Sequence, residues 1–323
     1  MPKYLIIRFS SIGDIVLTSP VVRCIKKQIP GAQVHYITKK AFASVIQSNP
    51  HVDKVYTIEK DVSEVIDELK KEKYDFVIDL HHNLRSAQVK QGLRKPSASF
   101  PKLNVEKWLK VNFKIDNLPD VHIVDRYFVA AKKLSVKNDG EGLDYFIPAK
   151  DEVNISTLPA SHQNGYIGFI IGARHFTKRL PEHKIIEICK RIDSPVVLLG
   201  GPDDAEIAKH IEEAVGGNIY NACGKYNLNQ SASLVKQGKK IITHDTGLMH
   251  IAAAFKKDII SVWGNTIPEF GMYPYKPGAN SHIVEVKNLS CRPCSKIGYK
   301  ACPKKHFKCM EENSVEEIIS NCK

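Results

Sequence analysis

Residues 241–255, IITHDTGLMHIAAAF, decide the fold. A short apolar run rich in β-branched residues stops at a polar turn, Asp245-Thr246-Gly247, and a small-residue apolar helix follows. That is a strand, a tight turn and a helix in succession. Gly247 lets the backbone approach a ligand closely. A helix that opens on unpaired N–H groups is a ready site for phosphate. Asp245, Thr246 and His250 add hydroxyl- and phosphate-binding side chains at that mouth. Two readings stay open at this point. The unit is an ordinary β-turn-α with Asp245 or Thr246 as the N-cap, or it holds a phosphate group.

Working outward, the same alternation recurs on both sides. Strands are expected at residues 166–171, 195–200 and 258–263, with a short one at 218–220 and helices at 181–192, 204–215 and 230–237. Toward the N-terminus, strands are expected at 3–8, 33–38, 54–58 and 75–80, with helices at 15–28, 41–48 and 62–73. Repeated β-α-β units imply parallel sheets covered on both faces. The pattern loosens over residues 85–121, punctuated by Pro96, Pro101 and Pro119, with helices at 105–113 and 121–134. Residues 140–164, rich in Gly, Pro and polar side chains, read as a domain boundary with one strand at 143–147 inside it. The expected class is α/β: two Rossmann-like domains, residues 1–155 and 156–310, facing each other across a cleft. Ligands then lie at the carboxyl ends of the strands. A terminal helix within 311–323 is expected to pack back on the first domain.

The composition belongs to a soluble globular protein: 43% hydrophobic and 25% charged over 323 residues. No apolar run reaches the length of a membrane span. The N-terminus runs straight from its first apolar stretch into a polar turn, which reads as a strand and not a signal peptide. The expected location is the cytoplasm, or peripherally on the inner face of the inner membrane. The net charge is +12. Residues 85–114 hold eight bases (Arg85, Lys90, Arg94, Lys95, Lys102, Lys107, Lys110, Lys114) against one acid, Glu106. Such a patch suits an anionic membrane surface or a phosphorylated substrate, or it is a solvated face. With no zinc finger, RNP motif or basic arm, nucleic acid is not an expected partner.

Each strand-end turn carries chemistry. In Arg8-Phe9-Ser10-Ser11-Ile12-Gly13-Asp14, Asp14 opens a helix whose dipole favours its anion, so it either caps the helix or accepts a proton. The turn has a single glycine and lacks the dinucleotide signature. In residues 172–181, GARHFTKRLP, the bases Arg174, His175, Lys178 and Arg179 suit a diphosphate. Asp203, in GGPDD, stands where an acid reaches ribose hydroxyls, and Tyr226, in GKY, offers a ring to a base. Together these loops suit a nucleotide diphosphate.

The motifs FSSIGDIVLTSPV, GARHFTKRLP, GGPDD and HDTGLMHIAAA, in this order and spacing, resemble the ADP-heptose:lipopolysaccharide heptosyltransferase family over nearly the whole chain. The resemblance implies a GT-B enzyme that transfers heptose, with inversion, from ADP-heptose to the inner core of lipopolysaccharide. It implies Asp14 as general base and Lys178 on the diphosphate. Ser11, Arg174, Asp203, Tyr226, Asp245, Thr246, Gly247 and His250 would serve the donor. Arg85, His122 and Arg126 would meet the phosphorylated, lipid-linked acceptor. No metal is required by this scheme, and Mg²⁺ enters only as a stimulator. The alternatives are a related transferase using another nucleotide sugar, or a nucleotide-binding protein without turnover. Leu180 stands where the family often has an aromatic residue, and His244 precedes the aspartate.

Near the C-terminus, Cys291, Cys294, Cys302 and Cys309 form C-x2-C-x7-C-x6-C with His306 nearby. Three readings stand: a structural zinc site, paired disulfides, which a cytoplasmic location disfavours, or reduced thiols in a compact loop.

Overall fold

The computed structural model describes residues 1–323. The chain divides into two compact units, Met1–Leu103 with Val121–Phe146, and Asn104–Asp120 with Ile147–Lys323.

The first unit is built on five parallel strands: β1 (Lys3–Ile7), β2 (Gln33–Lys39), β3 (Lys54–Ile58), β4 (Phe76–Asp79) and β5 (Ser97–Ser99), in the order β3-β2-β1-β4-β5. Leu5, Ile7, Ile37 and Val77 are fully buried on one sheet face with Val89 and Leu69 from covering helices. Ile7 stands opposite both Ile37 and Asp79, so β1 and β4 end level with each other. The expected helix 15–28 is two helices, Ile12–Val16 and Ser19–Gln28, parted at Leu17 and Thr18. Pro20, lacking an N–H, sits in the first turn of the second. The loosely read region contains a helix, Leu84–Leu93, that periodicity did not reveal; its Asn83 cap accepts from Ser86 N at 2.9 Å.

The second unit has six parallel strands: β6 (Ile167–Ile170), β7 (Val196–Leu199), β8 (Ile219–Asn221), β9 (Lys240–His244), β10 (Asp258–Trp263) and β11 (His282–Glu285), in the order β11-β10-β9-β6-β7-β8. Strands β6, β7 and β9 are almost entirely buried, as strands covered on both faces must be. Ile170 stands opposite both Leu199 and Thr243, so the loops after β6, β7 and β9 leave the sheet side by side.

Four expectations about organisation change; one is that residues 104–120, expected in the first domain, belong to the second unit. The boundary falls after Phe146 rather than after residue 155. Buried Arg23 explains the upstream side: its Nε and Nη2 donate to Asp139 at 2.8 Å and its Nη1 to Asp144 at 2.5 Å, binding residues 139–144 to the helix Ser19–Gln28. Residues 151–153 instead belong to the second unit, since Asp151 accepts from Asn227 and Asn229 and Val153 N donates to Ser233. The expected strand 143–147 joins no sheet. The terminal helix, Val315–Ser320, does not return to the first unit. Val315 and Ile318 lie in the core of the second with Ile185 and Ile188, and Lys240 Nζ donates to Asn321 O at 2.7 Å. No helix is long and apolar enough to cross a membrane.

Candidate active site

In the first unit the turn after β1 is ordered by one guanidinium. Arg8 is buried; its Nε donates to Ser10 O at 2.7 Å and its Nη1 to Leu80 O at 2.5 Å. Its Nη2 pairs with Asp14 Oδ1 at 2.5 Å. The other carboxylate oxygen accepts from Ser11 Oγ at 2.8 Å and Ser11 N at 3.1 Å. Asp14 therefore caps its helix and is held in place by a buried cation at the same time. Ser11, expected among the donor contacts, serves Asp14. Beside them His81 follows β4, its ring 5.3 Å from Phe9 and edge-on. Burial first, then the charges of Arg8 and Lys102, push its pKa down to about 3, so the imidazole is neutral at pH 7.

The acceptor residues expected from the sequence fare unequally. Arg85 is half-buried, with Nε on Lys60 O at 2.9 Å. His122 is buried, and its Nδ1 accepts from Val124 N at 3.2 Å as the cap of the helix Ile123–Ala131. Arg126 is buried within that helix. His122 thus has a capping bond, and Arg126 is buried beside it in the first unit.

In the second unit the loop after β6 and the turn after β9 meet. Lys178 Nζ lies 2.5 Å from Asp245 Oδ2, and Thr266 Oγ1 donates to the same oxygen at 2.9 Å. Asp245 therefore holds a cation in place more than it offers a bare carboxylate to a sugar. Thr246 is the N-cap of the helix Gly247–Ala254 and makes no side-chain capping bond, leaving its hydroxyl at the helix mouth. His250 is buried one turn on. The helix start and the Lys178 ammonium give this place a positive character suited to a diphosphate.

Behind them, His244 is fully buried at the end of β9. Its Nε2 accepts from Leu180 N at 3.0 Å, tying the lysine loop to the strand that carries Asp245. Burial, and then the nearby Arg179, push its pKa down to about 3, so it is a neutral acceptor. Leu180 itself is core, which accounts for an aliphatic residue there.

The GGPDD turn divides its acids. Asp203 is exposed, as a ribose contact would be, while Asp204 is buried. Asp204 accepts from Gly201 N at 2.8 Å and pairs with Arg179 Nη1 at 3.0 Å. A Cβ on Gly172 would come within 2.2 Å of Asp204 Oδ2, so the β6 and β7 loops approach closely only because that residue is glycine. Arg174 is exposed. Half-buried Tyr226 shares a hydrogen bond with Tyr220 at 3.0 Å, which fixes its ring.

The cysteine segment braces this site. Thr177 N donates to Tyr299 O at 3.3 Å and Tyr299 N to Thr177 Oγ1 at 2.8 Å, and Phe176 stacks on Phe307 with ring centroids 5.1 Å apart. Arg292 donates to Gly264 O and Thr266 O and pairs with Glu285 at 2.5 Å. The four thiols share one neighbourhood: burial and then the other thiols raise Cys294 to about 11 and Cys309 to about 12. In this arrangement no three His, Cys, Asp or Glu side chains converge as metal ligands. Cys294 Sγ turns to Cys291 O at 2.9 Å, and Cys309 lies in the core. All eight cysteines are free in this structure.

A model of glycosyltransferase family 9 (heptosyltransferase) matches residues 62–305. The chain belongs to glycosyltransferase family 9. Lipopolysaccharide heptosyltransferase 1 of Campylobacter coli is 24% identical over 292 residues, covering 82% of this chain and 84% of that one. The solved family-9 transferase of Veillonella parvula superposes with a TM-score of 0.79 at 23% identity, covering 99% of this chain and 96% of its own. The E. coli ADP-heptose LPS heptosyltransferase II gives 0.74 at 20%, covering 99% and 97%. These likenesses show the two-unit GT-B fold, and membership makes the family-9 chain a glycosyltransferase.

Motif reading gave no role to several residues of the candidate site. Arg8 lay inside a strand run, Asp204 beside the more exposed acid, and His244 at the head of its motif, before the aspartate. Thr266 and Asn265 follow β10, where no glycine-rich signal points. Asn265 is buried with neither side-chain amide atom hydrogen-bonded, a state that costs about 1–3 kcal/mol in a protein interior.

Proposed function

We propose that this family-9 enzyme transfers heptose from ADP-heptose to the inner core of lipopolysaccharide, inverting the anomeric carbon. The names of its relatives support donor and acceptor class. The observation that carries the donor half is Lys178 held by Asp245 at the opening of the helix Gly247–Ala254.

In this reading the acceptor hydroxyl gives its proton to Asp14 as its oxygen attacks the anomeric carbon. The bond from that carbon to the ADP oxygen breaks on the opposite face. Lys178, Arg174, Thr246 and the N–H groups at Gly247 take up the charge growing on the diphosphate. Asp203 meets the ribose and Tyr226 the adenine. Arg8 and Ser11 orient the base, Arg85 meets an acceptor phosphate, and His250 supports the helix mouth from within. The step asks for no bound metal; Mg²⁺ would only screen the phosphates, so chelation leaves turnover in place. The enzyme works on the inner face of the inner membrane, where such an acceptor is presented.

The deciding experiment is a donor comparison. Calorimetric binding and turnover with ADP-heptose are set against UDP- and GDP-sugars, using a phosphorylated inner-core acceptor. ADP-heptose is expected to bind tightest and to turn over. Preference for a uracil or guanine nucleotide overturns the donor, and ADP binding without transfer to any acceptor overturns the enzyme reading.

A further inference from the structure

The helix Asn104–Phe113, NVEKWLKVNF, contributes no side chain to a core. It leaves its apolar residues in solvent: Val105 is 67% exposed, Trp108 51%, Phe113 59% and, just beyond, Ile115 47%. Val105 and Trp108, three residues apart, share a face. The rings of Trp108 and Phe113 meet edge-on at 5.2 Å, so the apolar groups form one patch.

Helices of water-soluble proteins turn such residues inward and their charges outward. This one uses its lysines for attachment. Lys107 Nζ lies 5.7 Å from the centre of the Phe270 ring, Lys110 Nζ 2.5 Å from Asp116, and Lys114 Nζ donates to Pro293 O at 2.8 Å. Those contacts anchor the helix to the second unit and leave Val105, Trp108 and Phe113 outward. Contiguous exposed apolar patches, unlike singly scattered apolar side chains, mark sites where something else binds.

Charge narrows what that is. Between residues 102 and 116 the chain has Lys102, Lys107, Lys110 and Lys114 against Glu106 and the Asp116 that pairs with Lys110, a net excess of two positive charges. An aromatic face on a segment with a net positive charge matches the interface of an anionic bilayer, where Trp and Phe enter the headgroup region and nearby cations are attracted to the phosphates.

We propose that the helix Asn104–Phe113 is a membrane-interface anchor that seats Trp108 and Phe113 in a bilayer of anionic phospholipid. This deepens the acceptor reading above, on which its purpose rests: it brings a chain with no membrane-crossing helix to a substrate that is itself lipid-linked.

The chain has two tryptophans, and the other, Trp263, is buried in β10 with Nε1 on Ser261 Oγ at 3.1 Å. Lipid-induced fluorescence change in the full-length protein therefore reports Trp108. Vesicles of equal parts phosphatidylglycerol and phosphatidylcholine are expected to shift its emission to the blue. Brominated acyl chains should quench it, while pure phosphatidylcholine does neither. The double variant Trp108→Ser, Phe113→Ser should co-sediment with the anionic vesicles about tenfold less. It should keep full turnover of a short, water-soluble acceptor. No blue shift and no quenching in the unmodified protein overturns the proposal, as does undiminished sedimentation of the variant. If vesicles leave Trp108 unchanged while the double substitution dissolves a self-associated form, the patch is a contact between copies and the proposal also falls. Failure of the transferase reading shows separately, as vesicle binding without turnover.

Discussion

The two units repeat one topology and put opposite chemistry on it. Numbered from each unit's own first strand, both sheets run 3-2-1-4-5, and the second adds a sixth strand. Each carries its site beyond the first and fourth strands, at the point where strand order reverses and open α/β sheets bind ligands. In the first unit a carboxylate, Asp14, is held by a buried cation, Arg8. In the second a cation, Lys178, is held by a carboxylate, Asp245, beside a helix start. Topology chooses the place. In the reaction proposed above, the charge of the outward member of each pair chooses the role, proton acceptor in one and phosphate holder in the other.

That division can be broken by substitution. The largest effect is expected from Asp14→Asn, which should lower kcat by about a thousandfold or more while ADP affinity in calorimetry stays as it was. A matching loss of ADP affinity would mean the units do not separate base from donor. Lys178→Ala should reverse the pattern, weakening ADP-heptose binding and lowering turnover by about a hundredfold. Unchanged donor affinity would remove the lysine from the diphosphate.

Smaller effects sharpen the comparison. Gly172→Ala forces a Cβ against Asp204, a contact that should cost about 1–3 kcal/mol in urea unfolding. The same substitution at Gly217, where a Cβ meets nothing within 4 Å, serves as the control. His244→Asn should raise the donor KM only severalfold, because it loosens the lysine loop without touching substrate. Its distinctive signature is pH dependence. The folded pKa of His244, about 3, lies below the unfolded value of about 6.5. Its contribution is therefore complete above that unfolded value and is lost as pH falls toward about 3, because the unfolded chain binds the proton first. Urea midpoints of the unsubstituted protein should fall more steeply below pH 6.5 than those of His244→Asn. Parallel curves would show that His244 is not held neutral.

Much of this was legible before any coordinates. β-Branched runs ending in polar turns marked most of the strands, because a strand covered on both faces must be apolar throughout. Two were not marked: β5 is three small residues in a proline-punctuated stretch, and the β11 sequence follows a turn-rich stretch with no periodic signal. The helix Leu84–Leu93 escaped because its apolar residues form no clear stripe, although Asn83 supplies an ordinary cap. Among site residues, Asp14, Lys178, Asp245 and Thr246 stand at strand ends as expected. His122 and Arg126, expected as acceptor contacts, are both buried, and His122 caps the helix Ile123–Ala131, a role its position in the sequence did not signal.

The sequence by itself determined the α/β class, the repetition of the β-α-β unit and the turns where chemistry sits, because these follow from local periodicity and turn residues. Only tertiary structure decided which partner each charged side chain takes. Arg8 reaches Asp14, Arg179 reaches Asp204, Arg23 draws residues 139–144 into the first unit, and the cysteine segment wraps the Lys178 loop. Such pairings join residues from 6 to more than 100 positions apart. Chain spacing carries no information about them; they are set when the sheets close and each buried charge must find its counter-charge or remain unpaired at high cost.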